Sequence, residues 1–119
     1  MPRVTVICGG VGAARFLRGL VQVVDPTDIT AIVNVGDDSV LHGLEVSPDL
    51  DTITYTLAGA IDPERGWGLV DESWQAMEQV RRYATANGIG ADDEIGNDAA
   101  GWFSLGDRTA AAQLATALL

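Results

Sequence analysis

The stretch that decides the fold lies at the start of the chain, Val4-Thr5-Val6-Ile7-Cys8-Gly9-Gly10-Val11-Gly12-Ala13. Val4 to Cys8 is a short run of apolar and β-branched residues bounded by glycines, which predicts a buried strand. From Ala13 to Val24 apolar residues recur at helical spacing, which predicts a helix. The glycines therefore lie between a strand and the amino end of a helix, where backbone N–H groups and the helix dipole favour an anion such as phosphate.

This glycine turn differs from the two best-known phosphate-binding patterns. It lacks the Lys-Ser/Thr pair of a P-loop, and Arg15 stands where a dinucleotide-binding fingerprint has its third glycine. We predict that Gly10 and Gly12 hold phosphate oxygens and that Arg15 is a mobile cation beside them. The alternatives are a turn that only allows close packing of strand and helix, and an arginine that is simply solvated.

Composition limits the classes of function. The chain has 119 residues, enough for one small domain, and its 7 basic and 17 acidic side chains give a net charge of −10. Such a surface disfavours nucleic acid and anionic membranes as partners. Cys8 is the only cysteine, which excludes an intrachain disulfide, and its strand position indicates a buried thiol. With no long apolar span or leader pattern in the sequence, we expect a cytoplasmic location.

A second strand is predicted from Ile29 to Val35. Its spacing from the first strand is typical of a strand–helix–strand unit, in which the two strands run parallel. The segment 34–38, Asn-Val-Gly-Asp-Asp, then lies beside the glycine turn at the edge where open α/β sheets bind ligands. Ser39 to Val46 is predicted to be a loop, and it contains His42, whose single occurrence is more typical of a structural or solvated residue than of a catalytic one.

Three further helices are predicted. Ser47 is a candidate cap for one that has Pro48 at its first position. Another begins at Asp71 and ends at Asn87-Gly88, and a last one runs from Thr109 to Leu119. The segment 88–101 is glycine-rich and acidic, and we predict a mobile loop there without the ligand pattern of an EF-hand.

The predicted fold class is α/β, a Rossmann-like parallel sheet with flanking helices. Parallel sheets are normally buried on both faces, and two strands cannot provide that arrangement alone. We therefore expect residues 1–119 to form the amino-terminal part of one longer α/β domain. The alternative is a compact, mostly helical domain on a sheet of two or three strands.

Four carboxylates, those of Asp37, Asp38, Asp49 and Asp51, are expected at the same sheet edge as the glycine turn. Like charges this close oppose mutual ionisation, and a phosphate would add more negative charge. Mg²⁺ relieves the conflict, because it is commonly held by one or two carboxylates together with substrate phosphate oxygens. The alternatives are a hydrogen bond from a ribose to Asp37 and ordinary helix-start chemistry for Asp49 and Asp51.

Five motifs occur in one order along the chain, and together they resemble a known family. They are 6–13 (VICGGVGA), 34–38 (NVGDD), 47–52 (SPDLDT), 65–68 (RGWG) and 105–108 (LGDR). The set resembles the 2-phospho-L-lactate transferase family of deazaflavin coenzyme (F-420) biosynthesis, especially its phosphoenolpyruvyl-using actinobacterial members. The resemblance implies transfer of a phospholactyl or phosphoenolpyruvyl group from a guanosine diphosphate-linked donor to the hydroxyl of a deazaflavin acceptor, with release of GMP and a requirement for Mg²⁺.

The resemblance also implies roles for individual residues. Asp37 and Asp51 would be the catalytic pair that contacts metal or acceptor, Gly10 and Gly12 would contact phosphate, and Arg108 would contact the acceptor. Family members are two to three times longer than this chain, so the rest of the nucleotide site would be missing and we expect the fragment alone to be inactive. For the full-length protein we expect a homodimer. One departure concerns 109–113, which lack the Asp and the later His that usually follow Gly-Asp-Arg in the family.

Two other readings remain open at this point. A related regulatory family binds nucleotide-sugars without known chemistry and has a similar glycine turn. Its members tend to carry Gly-Gly-Ser-Ser after the paired aspartates, where this chain has Ser39-Val40-Leu41-His42. A generic NAD(P)-binding half-domain is disfavoured by Arg15 at the third glycine position.

Overall fold

The computed structural model describes residues 2–88 and 105–118. The chain divides into two compact units, one of Met1–Ser39 and Glu45–Val70, the other of Val40–Leu44 and Asp71–Leu119. The predicted acidic loop at 88–101 falls, from residue 89 onward, outside the described residues.

The first unit is built on a parallel strand pair. Strand β1 (Val4–Cys8) leads into helix α1 (Val11–Leu20), and after a 3₁₀ turn (Pro26–Asp28) strand β2 (Ile29–Val33) lies parallel to β1. The register runs from Val4 opposite Ile29 to Cys8 opposite Val33. The predicted α/β class with a parallel sheet and flanking helices is confirmed, as a small and partial fold of the Rossmann type.

Three boundaries differ from the prediction. Helix α1 begins at Val11 rather than Ala13. Helix α1 ends at Leu20 rather than Val24, because the N–H groups of Gln22 and Val23 bond to carbonyls only three residues back and tighten the chain into a turn. Strand β2 ends at Val33 rather than Val35, because the Asn34 side chain accepts a hydrogen bond from the Gly36 N–H and starts a turn.

The core of this unit lies between one face of the sheet and the helices. Its buried members are Cys8, Ala14, Leu17 and Ile53, and Val6, Ala13, Leu20, Ile29 and Val33 pack against them. Ile53 belongs to helix α2 (Pro48–Leu57), which packs against α1. Burial of a side chain such as Leu17, which is 1% exposed, contributes about 1.5–3 kcal/mol.

Helix α2 starts where the sequence predicts, but without the predicted cap. Pro48 occupies its first position, as expected, whereas the Ser47 side chain makes no capping hydrogen bond. The helix instead has Asp49 and Asp51 in its first turn, where the helix dipole stabilises negative charge.

The predicted loop at 39–46 contains a pair of short strands, β3 (Ser39–Leu41) and β4 (Leu44–Val46), which form a second two-stranded sheet. The two residues between them, His42 and Gly43, have φ values of 52° and 79°. Positive φ at both positions is typical of a type I′ hairpin turn. The loop prediction was wrong because it gave no weight to this two-residue turn.

The second unit contains helices α3 (Gln75–Ala86) and α4 (Asp107–Ala117). Helix α3 begins four residues later than predicted, because Asp71 has a positive φ of 54° and cannot start a helix. Its end at Asn87-Gly88 is confirmed, with Gly88 at φ 74°. Helix α4 begins at Asp107, two residues before the predicted Thr109. In the described part of the chain, no helix is both long and apolar enough to cross a membrane.

Candidate functional site

The glycine turn stands at the carboxyl edge of the parallel strands, as predicted. The Asn34 N–H donates to the Cys8 carbonyl oxygen at 2.9 Å, which carries the pairing one residue beyond β2. The chain then passes through Gly9 and Gly10 into α1, whose first intrahelical bond runs from the Ala14 N–H to the Gly10 carbonyl oxygen at 3.0 Å. Because the residue that precedes α1 is Gly10, it has no side chain with which to cap the helix.

A carboxylate lies directly over this turn. A Cβ atom placed on Gly10 would be 2.8 Å from Oδ1 of Asp49, so any larger residue here would force that side chain to shift. The other oxygen, Oδ2, accepts a hydrogen bond from Nδ2 of Asn34 at 3.0 Å. Oδ1 of Asn34 in turn accepts from the Gly36 N–H at 3.1 Å, which fixes the direction of its amide.

Three of the sequence motifs therefore meet in the first unit. The glycine turn, the segment after β2 and the first turn of α2 are joined through Gly10, Asn34 and Asp49. The Asp49 carboxylate is close to the amino end of α1 and lies in the first turn of α2, and both positions favour negative charge. A phosphate at the same helix end would meet this carboxylate, unless a cation lay between the two.

The loop 62–68 packs against the same helix. It is closed by a bridge between Ile61 and Leu69, and Gly66 is buried with a φ of 74°. A Cβ on Gly66 would lie 3.3 Å from Val11 Cγ1 and 3.8 Å from Arg15 Nη2, so the loop passes close to the first turns of α1. The RGWG motif is thereby placed beside the glycine turn.

The loop's own geometry depends on Asp62 and Arg65. Oδ1 of Asp62 accepts the N–H groups of Glu64 and Arg65, both at 2.9 Å. The hydrogen bond from the Arg65 backbone lowers the pKa of Asp62 most, assisted by the Glu64 N–H and by the Arg65 charge against the cost of desolvation. The Arg65 guanidinium lies 3.4 Å from Asp62, donates to the Leu69 carbonyl oxygen at 3.0 Å and stands 5.2 Å from the Trp67 ring centre.

The structure places the predicted site residues as follows. Gly10 immediately precedes the amino end of α1 and lies close to Asp49. Gly12, in the first turn of that helix, has open space where a Cβ would be. Arg15 is exposed on α1 beside Gly66. Asp37 is exposed in the turn after β2, and Asp51 is half-buried in the first turn of α2.

Sequence reasoning selected Asp37 and Asp51 and missed Asn34 and Asp49 as the residues whose contacts reach the glycine turn. Asp49 was among the four carboxylates expected at this edge. The signal that could have singled it out is its position in the helical turn that immediately follows Pro48. Asn34 could have been found as the first residue after β2, where an amide can bond its own turn.

The metal prediction can be compared with this geometry. Among residues 2–88 and 105–118, no group of three or more His, Cys, Asp or Glu side chains is arranged to hold a metal ion. Mg²⁺ does not need such a group, since one or two carboxylates can share it with phosphate. The Asp49 carboxylate, which Asn34 holds close to the amino end of α1, is a single carboxylate of the kind that can share Mg²⁺ with phosphate oxygens.

Two other reactive side chains have structural explanations. Cys8 is 2% exposed, and burial raises the pKa of its thiol, whose Sγ lies 3.4 Å from the Val6 carbonyl oxygen as a weak donor. The prediction of a buried thiol is confirmed. His42 occupies a position of positive φ in the hairpin turn, which accounts for its place in the fold.

In the second unit, Arg108 lies at the start of α4 in a network of crossed helix caps. Glu72 accepts the Arg108 N–H at 2.7 Å and both the N–H and the hydroxyl of Thr109, at 3.0 and 2.9 Å. Asp107 accepts the N–H groups of Gln75 and Ala76 at the start of α3, both at 2.9 Å. Glu72, which precedes α3, thus caps α4, and Asp107, the first residue of α4, caps α3.

The hydrogen bonds of these caps lower the pKa values of the Glu72 and Asp107 carboxyl groups. For Glu72, burial raises the pKa, but the hydrogen bonds from the Arg108, Ser73 and Thr109 groups outweigh it and the net pKa is lowered. For Asp107, the Ala76 N–H lowers the pKa most, followed by the Ser73 hydroxyl, which donates at 2.7 Å. The GDR part of the LGDR motif therefore has a defined structural role in joining α3 to α4.

Parallel strands joined by a helix, with a glycine turn at their carboxyl edge, define an α/β protein of the Rossmann type. The model of one family, 2-phospho-L-lactate transferase CofD, matches residues 4–117. The chain belongs to the 2-phospho-L-lactate transferase CofD family, and the resemblance drawn from the five motifs is confirmed.

Curated relatives are similar over the same region. The chain is 47% identical over 113 residues to a phosphoenolpyruvate transferase of Nocardia farcinica, a match that covers 95% of this chain and 30% of that protein. It is 50% identical over 106 residues to a phosphoenolpyruvate transferase of Streptomyces griseus, covering 89% of this chain and 29% of the relative. A phosphoenolpyruvate transferase of Mycobacterium tuberculosis is 45% identical over 125 residues, a match that covers 94% of this chain and 34% of that protein. The chain thus spans about a third of the length of these relatives.

Proposed function

We propose that this chain supplies the donor-phosphate part of a transferase that moves a phosphoenolpyruvyl or phospholactyl group from a guanosine diphosphate-linked donor to the hydroxyl of a deazaflavin. The observation that carries the proposal is the family match over residues 4–117, together with relatives named phosphoenolpyruvate transferase. The glycine turn at the start of α1 is the feature of the fold that suits a phosphorylated donor.

In this proposal, the residues at the sheet edge divide the task of holding the donor. The backbone at Gly10 and Gly12 binds phosphate oxygens at the amino end of α1, and Arg15 adds positive charge from the next turn. Asp49, with Asp37 or Asp51, holds Mg²⁺ against those oxygens. When bound, the ion neutralises negative charge on the phosphates.

The transfer reaction depends more on the positioning of donor and acceptor than on a protein nucleophile. The acceptor hydroxyl oxygen forms a bond to the donor phosphorus nearest the three-carbon acid, the bond from that phosphorus to the GMP oxygen breaks, and the hydroxyl proton is lost to a base. A carboxylate of the pair Asp37 and Asp51 is suited to orient that hydroxyl. Cys8 is unsuited to attack, because it is buried and its raised pKa keeps it protonated.

Further parts of the proposal lie outside the glycine turn. Arg108 contacts the acceptor through its exposed side chain, while its backbone N–H is held by Glu72. The complete enzyme is a cytoplasmic homodimer, has no nucleic-acid or membrane partner, and requires more chain than these 119 residues for turnover. The relatives, three times as long, support this last point.

The test uses two proteins. One is the chain itself, into which GDP is titrated by calorimetry with and without Mg²⁺. The other is the chain fused to the part of the Nocardia farcinica relative that lies outside the matched region, in the order in which that relative carries it. The fusion is assayed for GMP release with a deazaflavin acceptor and either guanosine-linked donor.

We expect Mg²⁺ to tighten GDP binding, and Asp49→Asn to lower that enhancement by roughly tenfold or more. Glu45→Gln, which removes an exposed carboxylate from β4, is the matched control and should bind as the wild type does. A fusion that forms no product with either donor but binds a nucleotide-sugar would support the regulatory alternative. Transfer of label from donor to protein without acceptor would contradict direct transfer.

A further inference from the structure

Arg108 lies where the stability of its helix does not favour a cation. It belongs to the first turn of α4, which begins at Asp107. The amino end of a helix carries partial positive charge, so the helix dipole repels an arginine there and stabilises an acidic residue such as Asp107. Residues that break a local rule of this kind are concentrated at functional sites. The exposed Arg108 side chain therefore needs an explanation other than the stability of α4.

The backbone that carries Arg108 is held by the segment before α3. The Asp107 N–H donates to the Ser73 carbonyl oxygen at 2.8 Å. The Arg108 N–H donates to Oε1 of Glu72 at 2.7 Å, and the Thr109 N–H donates to Oε2 of the same carboxylate at 3.0 Å. These are consecutive N–H groups at the start of a helix, which the helix itself leaves without acceptors.

The Glu72 side chain is itself closely confined. It passes across Gly106, where a Cβ atom would overlap its Cγ, Cδ and Oε2 atoms. Its Oε2 atom also accepts the hydroxyl of Thr109 at 2.9 Å, and Thr109 is only 7% exposed. The Glu72 carboxylate thus fixes the main chain on which Arg108 stands, whereas the arginine side chain extends into an exposed position.

We propose that Glu72 is a positioning residue for Arg108, because it fixes the backbone from which the guanidinium is presented to oxygen atoms of the acceptor. This inference rests on the proposed function, in which Arg108 contacts the acceptor. A guanidinium donates from a rigid planar fork, so its value to a ligand depends on direction as well as on charge. A backbone that is already ordered lowers the entropy that binding has to cost. Glu72 itself touches no substrate.

The test is a double-mutant cycle on acceptor binding, made in the fusion protein described above. Deazaflavin fluorescence is titrated without donor, so the measurement needs no turnover. The proteins are the wild type, Arg108→Ala, Glu72→Gln and the double variant, and GDP binding is measured for each. Glu78→Gln is the matched control, because Glu78 is an exposed acid of α3 that pairs with Arg82 at 3.1 Å.

We expect Arg108→Ala to weaken acceptor binding roughly tenfold or more, as for the loss of a hydrogen bond from a charged group. Glu72→Gln replaces an accepting oxygen with a donor, and it should weaken binding about threefold or more when Arg108 is present. It should have no further effect in the Arg108→Ala background. GDP binding, and both titrations of Glu78→Gln, should match the wild type. An equal factor for Glu72→Gln with and without Arg108, including no effect in either, would overturn the proposal.

The remaining outcomes separate this inference from the proposed function. Acceptor binding with the expected coupling but without GMP release from either donor would refute the transferase and support the positioning role. No acceptor binding by the wild-type fusion, or unchanged binding by Arg108→Ala, would overturn the positioning role. Thr109→Val is a milder change, because it removes only the hydroxyl that Glu72 accepts. It decides the case if Glu72→Gln does not fold, since its effect on acceptor binding should depend on Arg108 in the same way.

Discussion

Gly106, which immediately precedes α4, should tolerate no side chain. Its φ of −71° and ψ of 158° are open to any residue, so the requirement for glycine is one of space and not of backbone conformation. A Cβ at this position would overlap Cγ, Cδ and Oε2 of Glu72, whose side chain passes across Gly106 to reach the first turn of α4. Gly106→Ala therefore has to displace the Glu72 carboxylate.

The stability lost in Gly106→Ala can be worked out from the hydrogen bonds that the Glu72 carboxylate accepts. Glu72 accepts the N–H groups of Ser73 and Arg108 at 3.0 and 2.7 Å and both the N–H and the hydroxyl of Thr109. Loss of a helix cap costs about 0.5–2 kcal/mol, and a hydrogen bond to a charged group contributes about 1.5–3 kcal/mol. Because these losses overlap, we expect Gly106→Ala to destabilise the second unit by about 2–4 kcal/mol.

Amide hydrogen exchange at Arg108 and Thr109 measures this directly. The expected loss corresponds to exchange that is roughly 30- to 700-fold faster at these two amides. A Glu72→Ala background removes the three atoms that the added methyl group would overlap, so the further cost of Gly106→Ala should largely disappear. Gly88→Ala is the matched control, with nothing within 4 Å of its Cβ and a φ of 74°. It should cost about 1–2 kcal/mol in both backgrounds. Equal costs of Gly106→Ala with and without Glu72 would refute the reasoning.

Three further outcomes are expected. Because the pKa values of Glu72 and Asp107 are lowered in the folded chain, the stability they contribute is present above their ordinary values, 4.5 and 3.8, and is lost as pH falls through the folded values. Urea unfolding between pH 7 and pH 3 should show this loss, and Glu72→Gln should reduce it; identical pH profiles would count against it. His42→Asn should raise the free energy of unfolding by roughly 0.5–1 kcal/mol, because asparagine accepts positive φ more readily, and an unchanged or lower urea midpoint would contradict the assigned turn. Asp51→Asn, compared with Asp49→Asn in the GDP titration, should lose less of the Mg²⁺ enhancement, and the reverse order would make Asp51 the main ligand.

The sequence predicted the first unit well because its signals are local. The apolar run Val4 to Cys8, the glycines after it and the strand that begins at Ile29 each depend on near neighbours, and the parallel pairing follows from the spacing between them. The start of α2 at Pro48 was equally clear. Apart from the missed strands β3 and β4, the errors lay at the ends of elements, where hydrogen bonds such as the one between the Asn34 side chain and the Gly36 N–H decide the last residue.

The second unit was harder to predict because its helix starts depend on contacts across more than thirty residues. Asp107 bonds the N–H groups of Gln75 and Ala76, so the start of α3 is set by a residue that no local window includes. The contact of one carboxylate, that of Asp49, with the glycine turn was not predicted for the same reason. Asp37 and Asp51 have the expected positions along the chain, but the contact of Asp49 with Gly10 is a product of how α2 packs against α1.

The carboxylates of this acidic chain differ in what their oxygens already bind, and this difference separates structural from ligand-binding groups. Glu72 accepts from three backbone N–H groups and a hydroxyl, and Asp107 accepts from Ser73, Gln75 and Ala76. Carboxylates that accept so many hydrogen bonds have lowered pKa values and little lone-pair capacity left for a metal.

Asp49 is arranged differently. One oxygen accepts from Asn34, and the other is directed at Gly10, where the amino end of α1 favours an anion. If Asp49 served only as a counter-charge to the helix ends, Asp49→Asn would cost about 0.3–1 kcal/mol per helix and leave the response to Mg²⁺ unchanged. If it shares a cation with phosphate, the same variant removes the Mg²⁺ enhancement of GDP binding at that modest cost in stability. Asp49→Asn measured by both unfolding and titration therefore separates the two roles within a single protein.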